Sequence, residues 1–379
     1  MKKVIVLCLS LLGCAEDLTP AWEVIEPRPY GSRLFIEGDT EARTRPRPGE
    51  SFGLVRYFVS PEEPQASYSA DVVACIGAQL PGGEPACFQQ LDLPTLTTDP
   101  YEQNDRLTMR GLTIPAEAAA LPRDLVNRIY LFSGVCVDGR VERVPGKSLL
   151  NDSAIDLFRC TDNAKTKFKD LITTMTSVAL DFDQDESVNH HPSFDCDPES
   201  GEGACTQGVS HSGENTVPGS VVLARPSGDG YQVEAWPSWD EAELGPLPWA
   251  NCRDAEGLPQ VRQETDEHLV RVRFDASDRE TFDEIIDGPS PTPRSRREDL
   301  SVSHAITTRG GELSGQKSLL DRAVPDSDAE IELSYFPGDE DKGDRIAQTG
   351  RLVRFYFALH DFRGGYDFTT RELCLLPPR

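Results

Sequence analysis

The chain has 379 residues, of which 64 are Asp or Glu and 38 are Lys or Arg, for a formal charge of −26. An acidic excess of this size repels phosphates and argues against nucleic acid as a partner, while 38% hydrophobic residues are enough to build cores and exclude wholesale disorder. The 30 Gly and 29 Pro call for many turns and argue against a helical bundle.

The N-terminus carries the most specific signal. Lys2 and Lys3 form a positive start, Val4 to Leu12 a short apolar run broken only by Ser10, and Leu11-Leu12-Gly13-Cys14 closes it. This run is shorter than the roughly 20 residues of a membrane-crossing helix and suits a cleaved export signal. The four closing residues resemble the lipobox of bacterial lipoprotein signals, with Leu12 a departure where a smaller residue is commoner. The resemblance implies a signal peptide at residues 1–13, cleavage after Gly13 and acylation of Cys14 with palmitate-type chains. Ala15, in place of Asp, implies sorting to the cell outer membrane. Two or more acyl chains hold a protein firmly on a bilayer where one holds it marginally. The alternative is a plain secretory peptide with a coincidental Cys. No other long apolar run follows, so no spanning helix is expected.

Residues 14–32 are Pro- and acid-rich without periodicity and are read as a lipidated tether. From Arg33 short strands separated by turn residues are expected: Leu34 to Ile36, Phe52 to Val59, Asp71 to Ile76, Leu107 to Ile114 and Asn127 to Val137. Lys165 to Leu180 has apolar residues at helical spacing, but the Thr cluster 173, 174 and 176 favours a closing strand. Residues 33–180 are thus a first β-sandwich domain, and the acidic, Ser/Gly-rich segment 181–215 a linker. Over 216–379 strands return at Val217 to Ala224, Tyr231 to Trp236, His268 to Phe274, Leu300 to Thr307, Ile331 to Phe336, Leu352 to Leu359 and Tyr366 to Leu375. In the last hairpin Val353, Phe355, Phe357 and Leu359 form the only wholly apolar alternate set and should face the core. Gly350, Val353, Phe355, Phe357, Asp361 and Gly364-Gly365 resemble the closing hairpin of Ig-like and polycystic-kidney-disease-type β-sandwich domains. Ile129 to Gly139 is a fainter counterpart, and the aromatic-Asp-Phe-Gly-Asp-Gly signature of the second family is missing. The chain as a whole resembles a bacterial surface lipoprotein with tandem Ig-like domains. That resemblance implies an all-β fold of two antiparallel sandwiches, used for binding or display more than for chemistry.

Cys8 leaves with the signal and Cys14 carries lipid. Cys75, Cys87, Cys136, Cys160, Cys196, Cys205, Cys252 and Cys374 remain, an even set that reads as disulfides in an exported protein. Pairing neighbours in sequence gives Cys75–Cys87, Cys136–Cys160, Cys196–Cys205 and Cys252–Cys374. No C-x₂-C pair suggests zinc.

Asp181, Asp183 and Asp185 begin like a calcium loop, but Glu186 stands where the turn glycine belongs and Pro192 where the bidentate Glu belongs. A looser calcium site with Glu186 and Asn189 is weighed against a solvated acidic linker, and the linker is favoured. His190 and His191 are adjacent and should point apart, so no metal is assigned to them. Gly208-Val-Ser210-His211-Ser212-Gly213 puts Ser and His together without forming G-x-S-x-G. Trp236, Trp239 and Trp249, near Pro237, Pro246 and Pro248, are either a binding platform for sugar or protein or the cover of a sandwich end. Arg294, Arg296 and Arg297 are a basic patch read as a solvated loop.

The favoured expectation is an outer-membrane-anchored, extracytoplasmic lipoprotein, not an enzyme and without a cofactor. It serves as a structural or adhesive binding module for an unknown protein or polysaccharide, and its other partner is the lipid bilayer. The alternative is an exported hydrolase with a spatially assembled acidic or Ser/His site.

Overall fold

The computed structural model describes residues 23–24, 27–60, 68–79, 85–91, 97–98, 106–120, 128–137, 139–161, 171–181, 189–195, 204–239, 247–263, 266–274, 279–286, 292–307, 310–313, 321–323, 330–338, 345–361 and 363–378. More than half of them lie in strands, and helix is limited to turns of four or five residues. In the first half these are β1 (Glu23–Val24), β2 (Arg28–Ile36), β3 (Ser51–Val59), β4 (Tyr68–Gln79), β5 (Pro85–Leu91), β6 (Thr97–Thr98), β7 (Arg106–Thr113), β8 (Arg128–Val137), β9 (Arg140–Arg143), β10 (Phe158–Thr161) and β11 (Leu171–Ala179). In the second half they are β12 (Val221–Ser227), β13 (Gly230–Ala235), β14 (Gln260–Arg262), β15 (His268–Arg273), β16 (Thr281–Ile286), β17 (Thr292–Arg297), β18 (Leu300–Thr307), β19 (Glu312–Leu313), β20 (Asp321–Ala323), β21 (Glu330–Phe336), β22 (Arg351–Asp361) and β23 (Tyr366–Leu376). Among the described residues no helix is long and apolar enough to cross a membrane.

Two antiparallel sheets face each other in the first half, ordered β2-β3-β7-β6 and β11-β8-β4-β5. Alternation explains the packing: Phe52 and Leu54 of β3 with Met109 and Leu112 of β7 meet Val72, Ala74 and Ile76 of β4 with Ile129 and Leu131 of β8 in one buried core. The buried parity of β7 slips between Met109 and Leu112 because the register against β3 shifts there. Gly111 supplies the required backbone at φ +81°, where a glycine meets no steric penalty.

In the second half β13-β12-β15-β21-β19 faces a sheet running β1-β18-β22-β23-β14, with β20 also on β18. Val221, Leu223, Val270, Val272 and Leu333 pack against Val302, Val353, Phe355, Phe357, Leu359 and Leu373. The four apolar residues expected to face the core therefore do. Their opposite set is buried too, Arg354 and Tyr356 included, because β22 is a central strand covered on both faces.

Three disulfides lie in the described residues: Cys75–Cys87 staples β4 to β5, Cys136–Cys160 joins β8 to β10, and Cys252–Cys374 ties a loop to β23 across 122 residues. Cα separations of 5.5–5.6 Å suit such bridges. Cys205 is also disulfide-bonded; Cys196, its expected partner, lies outside the described residues.

Two expectations are corrected and one is met. The segment read as a featureless tether contains β1, which pairs in parallel with β18 (Glu23 beside Ile306, Val24 beside Thr307), and the first five residues of β2. Edge pairing uses backbone groups and needs no side-chain periodicity, so the sequence pattern gives no sign of it. Leu171–Ala179 is a strand, as the Thr cluster suggested. Arg294, Arg296 and Arg297 are in a strand, β17, which pairs with β16, and not in a loop.

Candidate functional site

The two halves meet along a seam built from the outer face of β22 and β23, the ends of β2 and β3, and residues 42–44 and 189–194. Val24, Val59, Ala305 and Tyr356 form a buried apolar cluster there, with Tyr30 and Phe368 against it. The Tyr356 hydroxyl donates to the Ser60 carbonyl at 2.8 Å and accepts from the Ser60 N–H at 3.3 Å. Tyr57 stacks on Phe368 with centroids 4.5 Å apart. Arg33 pairs with Asp367 at 2.9 Å. Burial pushes the Asp367 carboxyl up, against the pull of Arg33 and of the Phe194 N–H it accepts.

Asn189 and His191 are the pins of the linker. The Asn189 side chain donates to Thr44 Oγ1 at 2.8 Å and to Asp361 Oδ2 at 3.2 Å, and the Asn189 backbone carbonyl accepts the Thr44 N–H. His191 Nδ1 accepts the Tyr366 N–H at 3.0 Å, so the ring is neutral at this nitrogen. Burial first, then Arg33, pulls its pKa down to about 3. Asp361 Oδ1 accepts the N–H groups of Arg363 and Gly365, closing the β22–β23 turn.

A cavity of about 300 Å³ opens at this seam. Its described polar lining is Ser32, Thr44, Arg45, Arg128, Thr176, Ser177, Asp361 and Arg363, so three guanidiniums gather in a strongly acidic chain. Behind Thr176 lies Arg56, 3% exposed. It donates to Ser133 Oγ at 2.9 Å and to Thr176 Oγ1 at 3.1 Å; no carboxylate pairs with it among the described residues, and its Nε has no partner. Burial lowers its pKa to about 10. Next to the cavity, Glu298 is 2% exposed and accepts from Arg363 at 2.7 Å. Burial, reinforced by Asp361, raises its pKa to about 7.

The residues singled out from sequence fare differently. Trp236 is 1% exposed, packs edge-on against Phe355 and donates to the Glu372 carbonyl. Trp239 is buried beside Cys252, Leu352 and Cys374, with Trp249 packed on the same cluster. They cover the sandwich end and do not form an open platform, because their large apolar rings are consumed by the core. Asp181 pairs with Arg47 at 2.8 Å; Asp183, Asp185 and Glu186 lie outside the described residues, as do residues 1–13 and Cys14. Asn189 is spent on the seam. Among the described residues no group of three or more His, Cys, Asp or Glu is placed to hold a metal. His190 turns to Glu280 while His191 turns to Tyr366, as neighbours on an extended chain do. His211 is held by Glu330 at 2.9 Å, with Ser210 and Ser212 exposed beside it.

Sequence reading missed Arg45, Arg56, Arg128, Thr176 and Arg363. One of them carried a signal: Arg56 follows Phe52 and Leu54 and precedes Phe58 at core parity in β3, where a charge is out of place.

No protein-family model matches the chain, and no curated protein sequence matches it. Among solved structures it is similar to the Yersinia pseudotuberculosis adhesin InvE, with 8% identity over 90% of this chain and 58% of that one, TM-score 0.17. It is likewise similar to a DUF4785 family protein from Legionella pneumophila, with 9% identity over 90% of this chain and 55% of that one, TM-score 0.18. The chain spans little more than half the length of either. Likenesses this remote add nothing to the architecture read from the sheets themselves.

Proposed function

We propose that the chain is an outer-membrane lipoprotein, acylated at Cys14, whose paired sandwiches serve as a structural or adhesive binding module. The observation that carries the binding reading is the seam: two disulfide-stapled sheet pairs are joined by aromatic stacking, a partly buried ion pair and linker pins around a polar cavity. Rigid elements around a preformed cavity suit recognition. The disulfides favour an oxidising compartment, and the lipobox-like end of the leader supplies the anchor.

Metabolic labelling with a fatty acid tests the anchor: label on the wild-type chain and none on Cys14→Ala is expected, and an unlabelled wild type overturns it. For the binding reading, envelope polysaccharide or protein retained by the purified chain should be released by Tyr57→Ala, which loosens the seam. Retention indifferent to that change places recognition elsewhere.

A hydrolase reading has one observation on its side, the near-neutral pKa of Glu298, which suits a general acid. Glu298 is committed to Arg363 and is not among the residues lining the cavity, so the binding reading is preferred. Turnover of an envelope glycan that is lost in Glu298→Gln would reverse that preference.

A further inference from the structure

We propose that the seam cavity is a binding site for a compact oxyanion, a carboxylate or phosphate group carried by a sugar or other small molecule. The proposal deepens the binding-module reading by giving its seam a ligand class.

Arg56 has only N–H donors, so Thr176 Oγ1 must accept from it. Thr176 Oγ1 also lies 3.2 Å from Ser32 Oγ. These two hydroxyls have two protons, and their mutual bond uses one. Whichever of them donates in that bond, one proton is left over, and both residues line the cavity. The pair therefore offers the cavity a donor, polarised from behind by a guanidinium that has no carboxylate partner among the described residues. A buried cation without a counter-ion is costly, and an acceptor bearing negative charge is the group that relieves it.

The walls agree. Arg128 donates to the neutral Ser177 hydroxyl at 2.9 Å. Arg45 and Arg363 add two more guanidiniums. Glu298 and Glu280 offset Arg363. The one carboxylate in the described lining, Asp361, is occupied: its Oδ1 takes two backbone N–H groups and its Oδ2 takes Asn189. The one described carboxylate of the lining is thus satisfied, while Arg128 and the Ser32–Thr176 pair keep donor protons for a ligand. At about 300 Å³ the cavity is at the small end of ligand pockets and suits a group of one ring or less.

The test is calorimetric titration of the full chain, purified in detergent at low ionic strength, with inorganic phosphate and separately with glucuronate. At least one should bind tighter than about 10 mM, and added salt should weaken it. Arg128→Gln should weaken binding about tenfold, the worth of one charge-assisted hydrogen bond. Thr176→Val, which removes the relayed donor with little change in shape, should weaken it about fivefold. Phosphate alone binding assigns a phosphate-bearing ligand, glucuronate alone a sugar acid, and both an oxyanion from either source. Binding of neither, or equal binding by wild type, Arg128→Gln and Thr176→Val, overturns the proposal. An unlabelled wild type in the fatty-acid experiment would remove the anchor and leave this titration untouched.

Discussion

At the residue scale two of the seam groups with displaced protonation, Glu298 and His191, act on stability in opposite directions. Glu298 is raised to about 7 from an unfolded value near 4.5, so between those values the folded state holds the extra proton. Its contribution is complete below pH 4.5 and is lost as pH rises through 7. His191 is lowered to about 3 from near 6.5, so its contribution is present above 6.5 and is lost as pH falls. At pH 5 that loss is about 2 kcal/mol, and the full Glu298 shift is worth about 3 kcal/mol. The expected stability maximum is therefore mildly acidic. Glu298→Gln should keep the bond to Arg363 while removing the ionisation. Its stability, measured by denaturant unfolding from pH 5 to 8, should gain about 2–3 kcal/mol on the wild type across that range. Parallel profiles for the two proteins would show that Glu298 does not titrate there.

At the scale of the element, β22 shows how one strand serves two interfaces. Its odd-numbered apolar residues fill the second-half core, and Tyr356 on the other face reaches Ser60 of the first half. Phe355→Ala should cost about 3–5 kcal/mol through a core cavity. Tyr356→Phe leaves both backbone groups of Ser60 without their partner and should cost about 1–3 kcal/mol. The distinguishing measurement is hydrogen exchange: Phe355→Ala should loosen β15 and β21, and Tyr356→Phe should loosen the end of β3. Identical exchange patterns would contradict the division of labour between the faces. This strand also marks what was legible in the sequence. The core-facing set of β22, the strand series of both halves and three disulfide pairings followed from period-two alternation, turn residues and Cys order. The second role of β22 did not, because Tyr356 is matched to Ser60, 296 residues away in the chain. The cavity was equally hidden: β2, β8, β11, the Thr44-Arg45 loop and the β22–β23 turn each bring one to four residues to it, and no local pattern joins them. The tryptophans left two readings open for a related reason, since an aromatic near prolines fits an open loop as well as a capped core.

At the scale of the whole molecule the chain is laced and not simply strung. β1 belongs to the sheet of the second half before β2 enters the first, and the chain returns through Asn189 and His191, which bond to both halves. Two covalent crossings and an apolar cluster at 0–1% exposure bind the halves more firmly than a flexible linker would. Thermal unfolding of the wild type should therefore be one cooperative transition. Replacing Tyr57 and Phe368 together by Ala removes the stacked pair and should remove about 3 kcal/mol or more of coupling. The halves keep their own cores and disulfides, so scanning calorimetry of the double variant should resolve two transitions, the second at nearly the wild-type temperature. Reduction of the disulfides should lower both. Two transitions already present in the wild type would mean that the seam is a contact between independent halves, and the cavity it encloses would then lack the rigidity that recognition at this site requires.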